Sequence, residues 1–169
     1  MYEVQAVRAL GEVGREEWDA LIGDGSPFLE WDWLAALEES GCVARRTGWL
    51  PQHLVVRDRR RRLVAACPLY LKGHSMGEFV FDHEWAAAAQ RAGIEYYSKL
   101  LVGVPFTPST GRRFLVAPGE ERATRVWQLA EAARALCAAE ELRQSGGVRL
   151  DRLLRRLAGG DGRGGVGLA

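Results

Sequence analysis

The sequence predicts an α+β fold, a mixed sheet with flanking helices, and three observations carry that expectation. Short apolar or alternating runs bounded by Gly, Pro and Asp read as strands, and runs with apolar residues every three or four positions read as helices. The strands bunch in the middle of the chain instead of alternating with helices, which suits a doubly wound parallel sheet poorly. Composition is globular, with 47% hydrophobic and 27% charged residues over 169 positions. That is enough for one ordinary domain, or for half of a larger one.

The elements follow in order. Glu3 to Val7 alternates weakly and opens a sheet. Trp18, Leu21 and Ile22 fall on one face of a short helix ended by Gly23 and Gly25. Ser26-Pro27 starts a second helix, with Ser26 as cap and Phe28, Trp31, Leu34 and Leu37 on its apolar side, and Gly41 stops it. His53 to Arg57 and Leu63 to Leu71 read as two strands joined by the polar turn Asp58-Arg59-Arg60-Arg61-Arg62. A third strand, Glu78 to Phe81, is closed by Asp82, which caps a helix from Glu84 to Ala92. Lys99 to Val104 and Arg113 to Ala117 read as further strands around the stiff Pro105-Phe106-Thr107-Pro108. Glu120 to Glu140 is a long helix with Val126, Leu129, Ala133 and Cys137 on one stripe.

Two regions separate by composition. Residues 1–140 hold every aromatic, histidine, cysteine and proline, and residues 141–169 hold none of these but carry eight of the twenty glycines. The second region is expected to be either a flexible basic tail or out-of-frame sequence, since GC-rich DNA read in the wrong frame yields Gly, Arg, Ala and Leu. Formal charge is +1, so no global field drives the chain onto nucleic acid or acidic lipid. No run is long and apolar enough to span a membrane, and neither a membrane span nor a signal peptide is expected. Cys42, Cys67 and Cys137, odd in number and in apolar surroundings, suggest buried thiols in a reducing cytoplasm.

The densest polar cluster is Lys72-Gly73-His74-Ser75-Met76-Gly77-Glu78, with Asp82-His83 just after it. Two glycines let the backbone turn or approach a ligand, and a histidine, a serine and a carboxylate on one loop can bind a polar group and move a proton. A plain strand connection with solvated polar groups is the alternative. His53, His74 and His83 lack metal-site spacing, so no metal is expected. Ser75 is not in a Gly-x-Ser-x-Gly turn, and Cys67 lies mid-strand as a core residue. Tyr97, Lys99 and Thr107 bracket the next strand with hydrogen-bonding groups. Lys99, one of only two lysines, suits a carboxylate or phosphate. The run Arg59 to Arg62 reads as a solvated hairpin tip or as a contact to tRNA phosphates. Gln90-Arg91-Ala92-Gly93-Ile94-Glu95 begins like a Gln/Arg-x-x-Gly-x-Gly/Ala pyrophosphate loop, but it ends in glutamate and follows a helix. Either the donor is not coenzyme A or its site lies elsewhere.

The element order is that of the acyl-CoA N-acyltransferase (GNAT) fold, a likeness of topology alone. Pro27-Phe28-Leu29, Ala36-Leu37-Glu38-Glu39-Ser40-Gly41, Gly48-Trp49-Leu50-Pro51-Gln52-His53-Leu54, the run Pro68 to Asp82, Tyr96-Tyr97-Ser98-Lys99-Leu100 and Val104-Pro105-Phe106-Thr107-Pro108 resemble, in order, the bacterial FemAB-like proteins. These are described as GNAT-superfamily N-acyltransferases or peptidoglycan biosynthesis and recognition proteins. The likeness implies a chain of two acyltransferase-like halves, of which residues 1–140 are the first.

It further implies a cytoplasmic enzyme in which an amine, of a small molecule or a peptidoglycan peptide, attacks an activated acyl carbonyl. No tightly bound cofactor is expected, and the donor is acyl-CoA or an aminoacyl-tRNA. Glu78 and His74 are the candidates for proton handling, with Lys72, Ser75, Asp82, Tyr97, Lys99 and Thr107 for binding. Two readings compete with this one. One is a non-catalytic module that recognises a cell-wall peptide or a protein partner. The other is a degraded product with exposed apolar surface.

Overall fold

The computed structural model describes residues 2–144 apart from 24, 75, 77–81 and 95. The strand expected at Glu78 to Phe81, the candidates Ser75 and Glu78, and most of the 141–169 tail therefore lie outside the described residues. Among the described residues, seven strands form two antiparallel sheets. Strands β1 (Glu3–Val7), β3 (His53–Arg57), β4 (Leu63–Cys67) and β7 (Leu115–Val116) make a four-stranded sheet in the order β1-β3-β4-β7. Strands β2 (Trp49–Pro51), β5 (Leu69–Lys72) and β6 (Lys99–Val102) make a smaller sheet in the order β2-β5-β6. The α+β class is as expected. The single mixed sheet is not, because every strand pair among the described residues is antiparallel.

The division into two sheets comes from one kinked hairpin. The run Leu63 to Leu71 reads as one strand by hydropathy, yet it breaks at Pro68, which has no N–H to give to a ladder. Opposite the break, the Gln52 amide donates to the Leu69 carbonyl at 2.8 Å, so the chains stay tied while both change sheet. The hairpin tip is the expected Asp58 to Arg62 turn. There Asp58 accepts from the Arg60 and Arg62 amides at 2.8 and 3.0 Å.

Helices cover both faces of the larger sheet. Helices α1 (Arg15–Asp19) and α2 (Trp31–Glu39) lie on one face, sealing Leu10, Trp18, Leu29, Leu34 and Val55 in a core. The other face packs against α4 (Arg122–Gln144) through Leu54, Val64, Leu69 and Leu129. With helices on both sides, every residue of β4 is buried, which is why it reads as a continuous apolar run. Helix α3 (His83–Arg91) buries none of its residues.

Several local expectations are corrected. Pro27–Leu29 is a 3-10 turn preceding α2, and the Ser26 hydroxyl makes no capping bond. Helix α4 turns Arg125, Leu129, Ala132, Leu136 and Ala139 inward, so its buried stripe shares Leu129 with the expected one and leaves Cys137 outside. Arg125 is buried because its guanidinium stacks 3.5 Å from the Tyr2 ring centre and its Nε lies 3.1 Å from Glu120, a partnership no hydropathy pattern reveals. Cys42 is exposed as well, so only Cys67 of the three cysteines is a buried thiol. Burial pushes the Cys67 thiol up to about 12.

Candidate functional site

The small sheet sets Trp49, Lys72 and Lys99 in one row, each the direct partner of the next across β2, β5 and β6. Residues directly opposite in an antiparallel pair share a face, with Cβ atoms about 5 Å apart. The chain's two lysines are thereby side by side at one end of the sheet. Lys72 is fully buried. Its ammonium lies 3.9 Å from the Trp49 ring centre and donates to the Met76 carbonyl at 2.7 Å. A buried cation is tolerated where a π face and oxygen acceptors replace water, and this one has both.

Lys99 answers to a different set of groups. It donates to Asp82, lies 4.5 and 4.8 Å from the Tyr96 and Tyr97 ring centres, and approaches the Tyr96 hydroxyl at 3.5 Å. The Tyr97 hydroxyl reaches both Asp82 oxygens, at 2.7 and 2.8 Å. Burial by itself would lower the Lys99 ammonium, but the bond to Asp82 and the neighbouring negative charge outweigh it, so the net shift is upward and Lys99 stays a cation. Asp82 precedes α3 as expected, yet its side chain makes no cap bond, because Tyr97 and Lys99 hold it.

The loop after β5 returns to the same end of the sheet. The exposed His74 accepts the Met76 N–H at Nδ1, 3.1 Å away, while Met76 also supplies the carbonyl for Lys72. Its ring lies flat against Gly48, where φ is +74° and a Cβ would collide with the imidazole. Only glycine serves there on both counts. Phe106, at φ +58°, brings its ring 5.6 Å from Trp49. Thr107 beside it turns inward, donating to the Pro105 carbonyl at 3.1 Å. Of the candidates in the described residues, Asp82, Tyr97 and Lys99 form one bonded cluster, Lys72 and His74 share Met76, and Thr107 bonds within its own turn.

A second polar centre escaped sequence reasoning. His53 is fully buried, and its Nδ1 accepts the Leu69 N–H at 3.3 Å. The proton is thus assigned to Nε2, which donates to Glu38 at 2.8 Å. The other Glu38 oxygen accepts the Leu10 amide at 2.9 Å. The imidazole meets the Tyr70 ring edge-on at 5.0 Å, and Tyr70 meets Trp49 at 5.5 Å, so aromatic contacts run from this pair to the lysine row. Burial, with the Glu38 charge second, raises the Tyr70 phenol. The available signal was a carboxylate beside the apolar stripe of α2 and a histidine opening the apolar run Leu54-Val55-Val56.

The arginine run is partly spoken for. Arg61 bonds Glu3 at 3.1 Å and Arg62 pairs with Asp58 at 2.7 Å, both on the surface. Among the described residues, no three His, Cys, Asp or Glu side chains gather in a metal-binding group, and no helix is long and apolar enough to cross a membrane.

The family model described as FemAB-like, peptidoglycan biosynthesis/recognition, matches residues 9–148. No curated protein and no solved structure matches the chain.

Proposed function

The chain belongs to the FemAB-like family of peptidoglycan biosynthesis/recognition proteins, and from that premise we propose that it is an N-acyltransferase whose acceptor is an amine of a peptidoglycan precursor. One observation carries the reading beyond the family. The polar groups most suited to binding such a substrate, Lys72, His74, Asp82, Tyr97 and Lys99, belong to one end of the small sheet and the segments entering it.

The chemistry asked of this end is definite. The amine nitrogen bonds to the acyl carbon, the thioester or ester bond of the donor breaks, the amine proton passes to a base, and the leaving group takes a proton. Glu78 or His74 is proposed as the base, and a developing oxyanion needs N–H donors of the kind an ammonium or backbone amides supply. Lys72, Ser75, Asp82, Tyr97, Lys99 and Thr107 are proposed to hold the substrates, and the donor is acyl-CoA or aminoacyl-tRNA.

A second reading has its own support. Asp82, Tyr97 and Lys99 satisfy one another, which suits a rigid recognition surface as well as a reacting one. Mass spectrometry of a muropeptide incubated with the full chain and either donor separates the two. A gain of one acyl or aminoacyl group is expected, and it should fall when Glu78→Gln or His74→Ala removes the base. Saturable muropeptide binding with no gain from either donor assigns the protein to recognition instead.

A further inference from the structure

The two cations of the small sheet are held by similar chemistry but are sealed to different degrees. Lys72 is fully buried against Trp49, out of reach of solvent. Lys99 sits in a box that reaches the surface, with 30% of its own side chain and 15% of Asp82's exposed. Tyr96 and Tyr97, both half-buried, form two walls of the box, their rings inclined at 83° with centres 5.1 Å apart. The ammonium lies 4.5 and 4.8 Å from those centres, within cation–π range. Asp82 closes the box, accepting from the ammonium and from the Tyr97 hydroxyl.

Two aromatic faces and a carboxylate are the groups that recognise a primary ammonium, and here the chain's own ammonium fills the place. The hold on it is local. Lys99 stands on β6, whose four residues are all half-buried, and its stem is unbranched and flexible. An ion pair open to water contributes little to stability. An incoming ammonium makes the contacts that Lys99 gives up, while the released Lys99 regains water and rotamer freedom, so the exchange costs little. The box also favours the charged form of the amine it holds. Burial opposes that form, yet the bond to Asp82 leaves the net shift of Lys99 upward. An aliphatic amine is an ammonium at neutral pH, so it arrives in the form the box prefers.

We propose that Asp82, Tyr96 and Tyr97 form a binding site for the ammonium of an amine substrate, which Lys99 occupies as a displaceable internal competitor. That the substrate is an amine rests on the function proposed above, while the box stands on its geometry. Tyr96 thereby joins the substrate-holding groups through its ring face. The displaced Lys99 then serves the acyl donor as an N–H donor.

Equilibrium titration of the full chain with a muropeptide carrying a free amine tests the exchange by its sign, without turnover. Lys99→Ala should bind this muropeptide about tenfold more tightly than wild type, because the competitor is gone. The same muropeptide, N-acetylated, has no ammonium and should gain nothing. Adding Asp82→Asn to Lys99→Ala should lose about tenfold or more, the value of a charge-assisted contact, and adding Tyr96→Leu should lose severalfold. Lys99→Gln, shorter and uncharged, replaces Lys99→Ala if that variant does not fold. Weaker or unchanged binding of the free amine in Lys99→Ala overturns the proposal, and so does an equal gain for the acetylated form. If no chain binds the muropeptide, the peptidoglycan reading fails, and n-butylammonium titrated against Lys99→Ala decides the box by itself. Saturable binding that 1-butanol does not share is then expected, and equal binding of the two, or binding that survives Asp82→Asn, overturns the site.

Discussion

Glu38 holds two parts of the molecule at once, receiving the buried His53 imidazole on one oxygen and the Leu10 amide on the other. Glu38→Ala would strand both donors in a dry environment. A loss of about 3 kcal/mol or more is expected, measured as a fall in the urea midpoint with the slope unchanged. The exposed pair Glu17–Arg57 behaves differently. Arg57 donates twice to Glu17, both bonds at 3.0 Å, and that bonding holds the Glu17 carboxyl below its ordinary range. Folding therefore favours the charged form, so the pair's contribution is complete above roughly pH 4.3 and disappears as pH falls through the lower folded value. Glu17→Gln should be less stable than wild type at neutral pH, by under about 1 kcal/mol because the carboxylate is well exposed. The difference should close on acidification, read from urea midpoints at a series of pH values. These residues also mark how far the candidate site could be read in the sequence. Lys72, His74, Asp82, Tyr97 and Lys99 are polar groups gathered in two short stretches, and the pattern exposes them. Glu38 and His53 are fifteen positions apart on a helix and a strand, and only packing joins them.

Among the elements, α4 shows what periodicity delivers and what it omits. Its existence and its contact through Leu129 follow from the apolar spacing. The inward stripe, however, runs through Arg125, Ala132, Leu136 and Ala139, because small alanines admit close approach to the sheet and Arg125 gains the Tyr2 ring and Glu120 as partners. Leu129→Ala should cost about 2–4 kcal/mol as a cavity opens between helix and sheet. Cys137→Ala, on the exposed side, should stay within about 0.5 kcal/mol of wild type. Thermal melts of the two variants check the pair, and a large effect at Cys137 would restore the stripe first read from the sequence. Strands were legible wherever an apolar run met a polar turn, as at β3 and β4. The break between β4 and β5 was legible only in hindsight, since Pro68 sits in an apolar run and hydropathy is blind to a missing N–H.

On the scale of the whole molecule, the kinked hairpin that carries β2 and β3 out and β4 and β5 back joins a well-covered end to a sparsely covered one. At the first end β3 and β4 are flanked by strands on either side and by helices on both faces, and nearly all their residues are buried. At the other end lie the lysine row, the half-buried β6 and α3, which buries nothing. Local opening is governed by how much packing must be broken, so the two ends should differ strongly in native-state hydrogen exchange. Amides of Leu54–Val56 and Val64–Cys67 should exchange only by global unfolding, and those of α3 on the order of a thousandfold faster or more. The arrangement has a functional consequence. The groups proposed to bind substrate are built on the half-covered end of the fold, while the buried Glu38–His53 pair anchors its inner edge through Tyr70 and Trp49. Equal protection at both ends would contradict this division. Muropeptide added to the exchange experiment sharpens it further: protection gained at β6 and α3, with none gained at β3 and β4, would locate the ligand at the lysine row.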